Sequence, residues 1–388
     1  MSVAGNQQRI VLELLGQLRP YWTRDRNLPA RIQALLAQRR AFGSRDRRLY
    51  RELLYTALRY LPWIEPLLET DPGEAVRRLA WLAADLPATR MFREAFAQGA
   101  PPAGDKAELL PAWFRAHCPE AFLPEQLNAL LARAPLWLRL QTNAPEAVAA
   151  EFAQLGWRHD ASPVLATAWQ LRDEVDATKT AAYRDGRIEV QDLGSQLLLE
   201  SAGIEAGGRW LDACAGAGGK TLQLARLVGP AGQVDAHDIR PAALAELAAR
   251  AERAGFDNIT ILPHPARDTY DGVLVDAPCS GSGTWRRAPH LKWTTRETDI
   301  AGAAQQQLAL LGAFAERVRP GGRLIYATCS LSRVENEEVI AGFRATHDEF
   351  ASESPAKPFG GLRRGGGLTF LPALHDTDGF FVAQWRRQ

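Results

Sequence analysis

The stretch RWLDACAGAGGKTLQLARLV, residues 209–228, decides how the carboxy-terminal half of the chain is read. It runs from a short apolar segment, through a turn with three glycines, into a segment with helical apolar spacing. The alternation continues downstream. The apolar runs QVDAHD, NITIL, GVLVDAP and GRLIYATCS are separated by the helical runs PAALAELAARAERAG and AAQQQLALLGAFAERV. Strand–helix alternation from about residue 183 implies crossover units and a parallel sheet covered on both faces. Such α/β sheets hold ligands beyond the carboxyl ends of their strands. The polar residues at those ends are Asp212, Asp238, Asp276, Cys279, Thr328 and Cys329. The pattern therefore gathers them into one predicted site.

The turn Cys214, Ala215, Gly216, Ala217, Gly218, Gly219, Lys220 has three readings. A P-loop needs G-x-x-x-x-G-K-[ST]; Gly219, Lys220 and Thr221 fit, but Cys214 stands at the first glycine. GVLVD can pass for the acidic strand of such a nucleotide hydrolase. A nicotinamide turn needs G-x-G-x-x-G; Gly216 and Gly218 fit, but Thr221 stands at the third. S-adenosylmethionine carries no pyrophosphate, so it asks only that backbone approach without a Cβ in the way. Asp238 lies about twenty residues past the loop, where an acid binds ribose hydroxyls. That acid suits either nucleoside cofactor.

Two cysteine-bearing turns narrow the choice. GVLVDAPCSGSG spans 272–283, and GRLIYATCSLSRVENEE spans 322–338. Cys279 and Cys329 come from successive predicted strands joined by a long helix, so both thiols can face one crevice. Cys118 and Cys214 read as packing residues, and no C-x-x-C spacing suggests a metal or redox site. Ser332 and Glu335 form an S-x-x-E pattern, which predicts a helix starting just after Cys329 with its positive end near the thiol. Arg286, Arg287 and Lys292 follow Cys279 closely and read as phosphate clamps.

DACAGAGGKT, HDIRP, DAPCSGSG and YATCS, in this order, resemble the motifs of the RNA cytosine-C5 methyltransferases of the RsmB and Sun type. QDLGSQLLLE at 191–200 and TDGFFVAQW at 377–385 extend the resemblance over about residues 110–388. The resemblance implies a class I, Rossmann-like methyltransferase domain over 183–388 and S-adenosylmethionine as cofactor. It makes Cys329 the nucleophile that adds to C6 of the base, and Cys279 the group that assists product release. Asp276 then hydrogen-bonds the N3/N4 edge of cytosine and lies near the sulfonium, and Lys220 contacts the cofactor loop or the flipped nucleotide. Two departures stand out. Ala217 replaces the family's usual proline, which predicts a looser turn. His264 and Pro265 stand where the family tends to carry an acid after the third strand, leaving the adenine contacts unassigned.

The amino-terminal third reads as helices. Residues 1–51 hold eleven arginines against Glu13, Asp25 and Asp46, a local excess of eight positive charges that favours phosphate backbones. In GSRDRRLYRELLYTALRYL, Leu49, Leu53, Ala57 and Leu61 form one stripe with arginines opposite. These helices, residues 1–125, loosely resemble the NusB-like RNA-binding domain of RsmB proteins. Residues 126–182 alternate short apolar runs and turns and read as a small α/β RNA-binding subdomain. The glycine-rich stretch 360–367 reads as a loop, followed by a closing pair of strands. No apolar run reaches membrane-spanning length, and no signal layout opens the chain, which points to a cytoplasmic protein. A monomer without a metal is expected. The resemblance favours 16S ribosomal RNA as substrate, with transfer RNA as an alternative. A P-loop hydrolase, and an RNA-binding assembly factor with weak catalysis, are the competing functions.

Overall fold

The computed structural model describes residues 2–264 and 269–388. They divide into two units, Met1–Arg133 with Trp285–Glu297, and Ala134–Thr284 with Thr298–Gln388.

The first unit is helical. Its longer helices are Val3–Leu18, Leu28–Gln38, Ser44–Arg59 and Pro72–Leu82. Ser2 caps the first by accepting the Gly5 N–H at 3.0 Å. The expected stripe Leu49, Leu53, Ala57 and Leu61 is buried, while Arg47, Arg48 and Arg51 are exposed. Leu53 and Ala57 share one core with Leu14, Leu15, Leu79 and Phe92. Apolar burial of this kind, rather than helix propensity, holds short helices in place.

Trp285–Glu297 belongs to this helical unit, although its sequence position put it inside the 183–388 domain. The Trp285 ring lies 4.5 Å from that of Phe114. Lys292 Nζ donates to the carbonyls of Arg59 (2.8 Å) and Leu109 (2.9 Å), and Trp293 Nε1 donates to that of Leu58 at 2.7 Å. Two of these three carbonyls, those of Leu58 and Arg59, lie at the end of helix Ser44–Arg59, where carbonyls lack helical partners. Burial pushes the Lys292 ammonium well below its ordinary range. Arg286 is also buried and donates to the Arg133 carbonyl at 3.2 Å. The phosphate-clamp expectation is therefore corrected for Arg286 and Lys292, which are interior residues of the helical unit. Arg287 is the exposed one of the three.

The second unit begins with an antiparallel sheet of β1 (Leu136–Leu140), β2 (His159–Ala161), β3 (Ala168–Leu171) and β4 (Ile188–Val190), in the order β2-β3-β1-β4. The helix Pro145–Gln154 packs Val148 and Phe152 against Leu138, Leu140 and Ile188. Pairing of Leu138 with Val190 carries this piece past residue 182.

The larger sheet holds β5 (Arg209–Asp212), β6 (Gln233–His237), β7 (Ile259–Leu262), β8 (Tyr270–Asp276), β9 (Val318–Thr328), β10 (Phe350–Glu353), β11 (Leu362–Arg364), β12 (Gly367–Phe370) and β13 (Phe380–Arg387). Its order is β11-β12-β13-β9-β8-β5-β6-β7, with β10 on β13. The run β7-β6-β5-β8-β9 is parallel, and β13 is antiparallel to β9. The central strands are apolar on both faces, as Val273, Leu274 and Val275 show by their complete burial. Strand order reverses between β5 and β8, which opens a crevice beyond Asp212 and Asp276. The stretch 360–367 is not only loop. It contains β11, which pairs with β12 around a turn at Gly365 (φ +57°) and Gly366 (φ +107°). No helix among the described residues is long and apolar enough to cross a membrane.

Candidate active site

β5 ends at Asp212, and the chain turns through Gly218 into the helix Gly219–Val228. Gly218 has φ +89°, and a Cβ there would lie 2.7 Å from Leu247 Cγ, so both conformation and space require glycine. Asp212 is fully buried and accepts from Thr221 Oγ1 at 2.7 Å; burial pushes its carboxyl up to about 7. Lys220 Nζ donates to Asp276 Oδ2 at 2.9 Å. In a P-loop the lysine and the hydroxyl would serve phosphate and magnesium. Here both are engaged with carboxylates of the strand ends.

Two arginines unforeseen in the sequence hold the turn from behind. Arg250 Nη1 donates to the Ala217 carbonyl at 2.6 Å, and Arg139 Nη1 to the Gly219 carbonyl at 2.8 Å. Arg250 pairs with buried Glu189 at 2.9 Å, and Arg253 pairs with the other oxygen of the same carboxylate. Arg139 also reaches Gln191 and Gln141, each at 2.5 Å, and burial brings its pKa down to about 9. The alanine in place of the family proline thus has its carbonyl anchored.

Gly216, Lys220, Asp238, Ile239 and Asp276, with both thiols, line a cavity of about 620 Å³. Asp238 Oδ2 accepts the Gly216 N–H at 2.8 Å. The Arg240 guanidinium bonds both Asp238 oxygens, at 2.8 and 2.9 Å, and brings the carboxyl down to about 2. Ile239, between them, is 83% exposed and offers an apolar face at the cavity. The HDIRP motif marked the acid but not this neighbour. An ionised acid for a hydroxyl pair, an apolar face for a flat ring and exposed glycine backbone fit a nucleoside cofactor. Among the described residues, no three His, Cys, Asp or Glu side chains gather as a metal site. His264 follows β7, and Pro265 lies outside the described residues.

Cys279 follows β8 by three residues, and Cys329 follows β9 directly. β8 and β9 are parallel neighbours, with Asp276 opposite Ala327. Their turns meet: the Gly283 N–H donates to the Cys329 carbonyl at 2.9 Å, and the two Sγ atoms lie 3.3 Å apart. The hydrogen bond from Cys279 pulls the Cys329 thiol below its ordinary pKa; burial and Asp276 oppose this, and Lys220 assists. The same hydrogen bond, with burial, pushes Cys279 well up. The two thiols titrate as a pair in which one donates to the other as it ionises, and the Lys220 ammonium favours negative charge on the Cys329 side. Cys214 lines the cavity, and burial raises its thiol, as expected of an inert packing residue. Cys118 is buried in the helical unit.

The capping-box reading of Ser332 and Glu335 is corrected. The helix starts at Glu337, eight residues after Cys329. Glu335 instead points between the cysteine turns, accepting from Ser280 and Ser330. An S-x-x-E pattern records spacing only. It does not show that a completely buried acid has donors waiting on another strand.

The fold and this glycine turn define a class I, Rossmann-like methyltransferase. A family model described as 16S rRNA methyltransferase RsmB/F matches residues 200–386. The chain is 32% identical to the ribosomal RNA small subunit methyltransferase B of Xanthomonas campestris pv. campestris, over 76% of this chain and 70% of that protein. It is 34% identical to the probable ribosomal RNA small subunit methyltransferase B of Bacillus subtilis, over 54% of this chain and 50% of that protein. It therefore spans about half the length of the Bacillus relative. The crystal structure of PH0851 shares the fold over the whole of both chains, with a TM-score of 0.76 at 22% identity. The chain belongs to the RsmB/F methyltransferase family.

Proposed function

We propose that this protein transfers a methyl group from S-adenosylmethionine to C5 of a cytidine in RNA, with 16S ribosomal RNA as the substrate. The observation that carries the reading is the pair of thiols 3.3 Å apart, at the ends of adjacent parallel strands, on the cavity that also holds the glycine turn and Asp238. Names of the relatives and of the family support ribosomal RNA as substrate.

The residues then have defined tasks. Asp238 would hold the ribose hydroxyls, Ile239 would offer its apolar face to the adenine, and the backbone of Gly216–Gly219 would hold the remainder of the cofactor. When bound, the cofactor's sulfonium would supply the methyl group, the pair of the broken CH3–S bond staying on sulfur, which leaves as a neutral thioether. C5 of cytosine is a weak nucleophile. Cys329 thiolate adds to C6, the C5=C6 π pair moves onto C5, and C5 becomes nucleophilic. Asp276 hydrogen-bonds the N3/N4 edge and polarises the ring as the thiolate adds. After methylation the C5 proton leaves to a base, the C5=C6 bond re-forms, and the Cys329–C6 bond breaks to release thiolate. Cys279 assists this elimination. The base must leave its stack to reach both thiols.

The arginine-bearing helical unit acts as a NusB-like RNA-binding domain. Its exposed arginines, with Arg287, supply phosphate contacts that place the RNA without reading its bases. The small sheet β1–β4 adds a further RNA surface. The protein works as a cytoplasmic monomer without a metal. The test is mapping of 5-methylcytidine in ribosomal and transfer RNA from cells with and without this gene. Loss of one 16S site supports the reading. Loss confined to transfer RNA overturns the substrate, and no loss overturns the activity.

A further inference from the structure

Glu335 is completely buried, and among the described residues its carboxylate is held by neutral donors. Oε1 accepts the Ser280 N–H at 2.7 Å and Gln307 Nε2 at 3.0 Å. Oε2 accepts the hydroxyls of Ser280 and Ser330, each at 2.5 Å. Ser280 directly follows Cys279, and Ser330 directly follows Cys329. One carboxylate therefore grips both cysteine-bearing turns, which belong to different strands.

The grip is itself fixed. Gln307 Nε2 also donates to the Pro278 carbonyl at 2.9 Å, next to Cys279. Tyr326 OH donates to the Glu335 carbonyl at 2.6 Å and lies 3.1 Å from Gln307 Oε1. Asn336 donates to the Ser330 carbonyl at 2.9 Å and accepts from Thr328 Oγ1 at 2.7 Å. A buried carboxylate without a cation is costly unless donors satisfy it. A neutral side chain could fasten either turn alone. The carboxylate, which only accepts, can take two hydroxyls and two N–H groups at once and so join the two turns.

We propose that Glu335 is the positioning residue for catalysis: by clamping Ser280 and Ser330 it fixes the distance and the unequal roles of the Cys279 and Cys329 thiols. Glu335 does not line the cavity, so it acts through the cysteines. This rests on the proposed assignment of the two thiols to attack and release.

The test uses the full chain carrying Glu335→Ala, Glu335→Gln, Ser280→Ala or Ser330→Ala. One readout is peptide-resolved iodoacetamide labelling without RNA or cofactor. Preference for Cys329 over Cys279 should be about 10-fold or more in the parent and fall below about 3-fold in Glu335→Ala, because labelling follows thiolate character. The other is steady-state methylation of a 16S ribosomal RNA fragment. In Glu335→Ala, kcat should fall about 100-fold with KM for RNA within about 3-fold, the signature of a loss confined to the transition state. Glu335→Gln keeps the Oε1 bonds and should recover to within about 10-fold of the parent. If Glu335→Ala does not fold, Ser280→Ala and Ser330→Ala carry the test, each with a smaller kcat loss of about 10-fold and reduced labelling preference.

Parental kcat and parental labelling preference in a folded Glu335→Ala, or in both serine variants, would overturn the clamp. A parent protein that does not methylate C5, with labelling still altered by Glu335→Ala, would instead reject the proposed function and leave the clamp standing.

Discussion

Lys220 Nζ lies 2.9 Å from Asp276 Oδ2, tying the first turn of the helix after the glycine loop to the end of β8. Burial alone would lower the ammonium's pKa, but Asp276 keeps it above its ordinary value. The bridge thus keeps a permanent cation near Cys329 and offsets the carboxylate beside it.

Lys220→Met should remove that offset. With Asp276 left unbalanced, the Cys329 thiol becomes harder to ionise. The acidic limb of the kcat/KM profile should then move to higher pH, with a loss of about 10- to 100-fold near neutrality. Methylation rates measured across pH check this. An unmoved limb would separate the lysine from the thiolate.

Arg250→Ala should release the Ala217 carbonyl and remove one of two arginines from buried Glu189. The expected cost is about 2 kcal/mol of stability. Binding of S-adenosylmethionine should weaken about 10-fold through a looser loop. Thermal unfolding and calorimetric titration read the two effects. Unchanged cofactor binding would confine Arg250 to fold stability.

Asp212 gives a stability test with a definite sign. Its folded pKa of about 7 lies above the unfolded carboxylate value of about 3.9. The folded chain therefore binds this proton more tightly. Its contribution is complete below about pH 4 and is lost as pH rises through about 7. Asp212→Asn removes the titration, so its Tm should fall less than the parent's between pH 5 and pH 8. Parallel Tm curves would contradict the raised pKa.

Arg47, Arg48 and Arg51 lie on the exposed side of helix Ser44–Arg59, opposite the buried leucines. Replacing all three with alanine should weaken RNA binding and reduce the slope of log K against log salt by about 2 to 3, roughly 0.7 to 0.9 per lost phosphate contact. Binding measured over a salt series checks this. An unchanged slope would place the RNA elsewhere.

Where the chain alternates apolar strands and amphipathic helices, the architecture was legible, because periodicity reports burial directly. Leu49, Leu53, Ala57 and Leu61, and the strand runs ending at Asp212, Asp276 and Thr328, lie where their spacing indicates. The convergence of Cys279 and Cys329 was also legible, since successive parallel strands place their ends together. Buried charge was not. Lys292 and Arg286 look like surface cations in sequence, and only the carbonyls at a helix end and loop explain their burial. Glu335 fits a cap pattern equally well, and its real partners are fifty-five and five residues away. Arg139 and Arg250 carry no motif, because the carbonyls they hold are specified by no side chain.

The division of labour between the thiols is tested most directly by trapping. Cys279→Ala and Cys329→Ala proteins are incubated with 16S ribosomal RNA and S-adenosylmethionine, then resolved under denaturing conditions, with the crosslinked residue and base identified by mass spectrometry. Cys279→Ala should accumulate a protein–RNA adduct joined through Cys329 to a cytidine that carries the new methyl group. Cys329→Ala should give neither adduct nor 5-methylcytidine. An adduct through Cys279, or methylation by Cys329→Ala, would contradict the assignment.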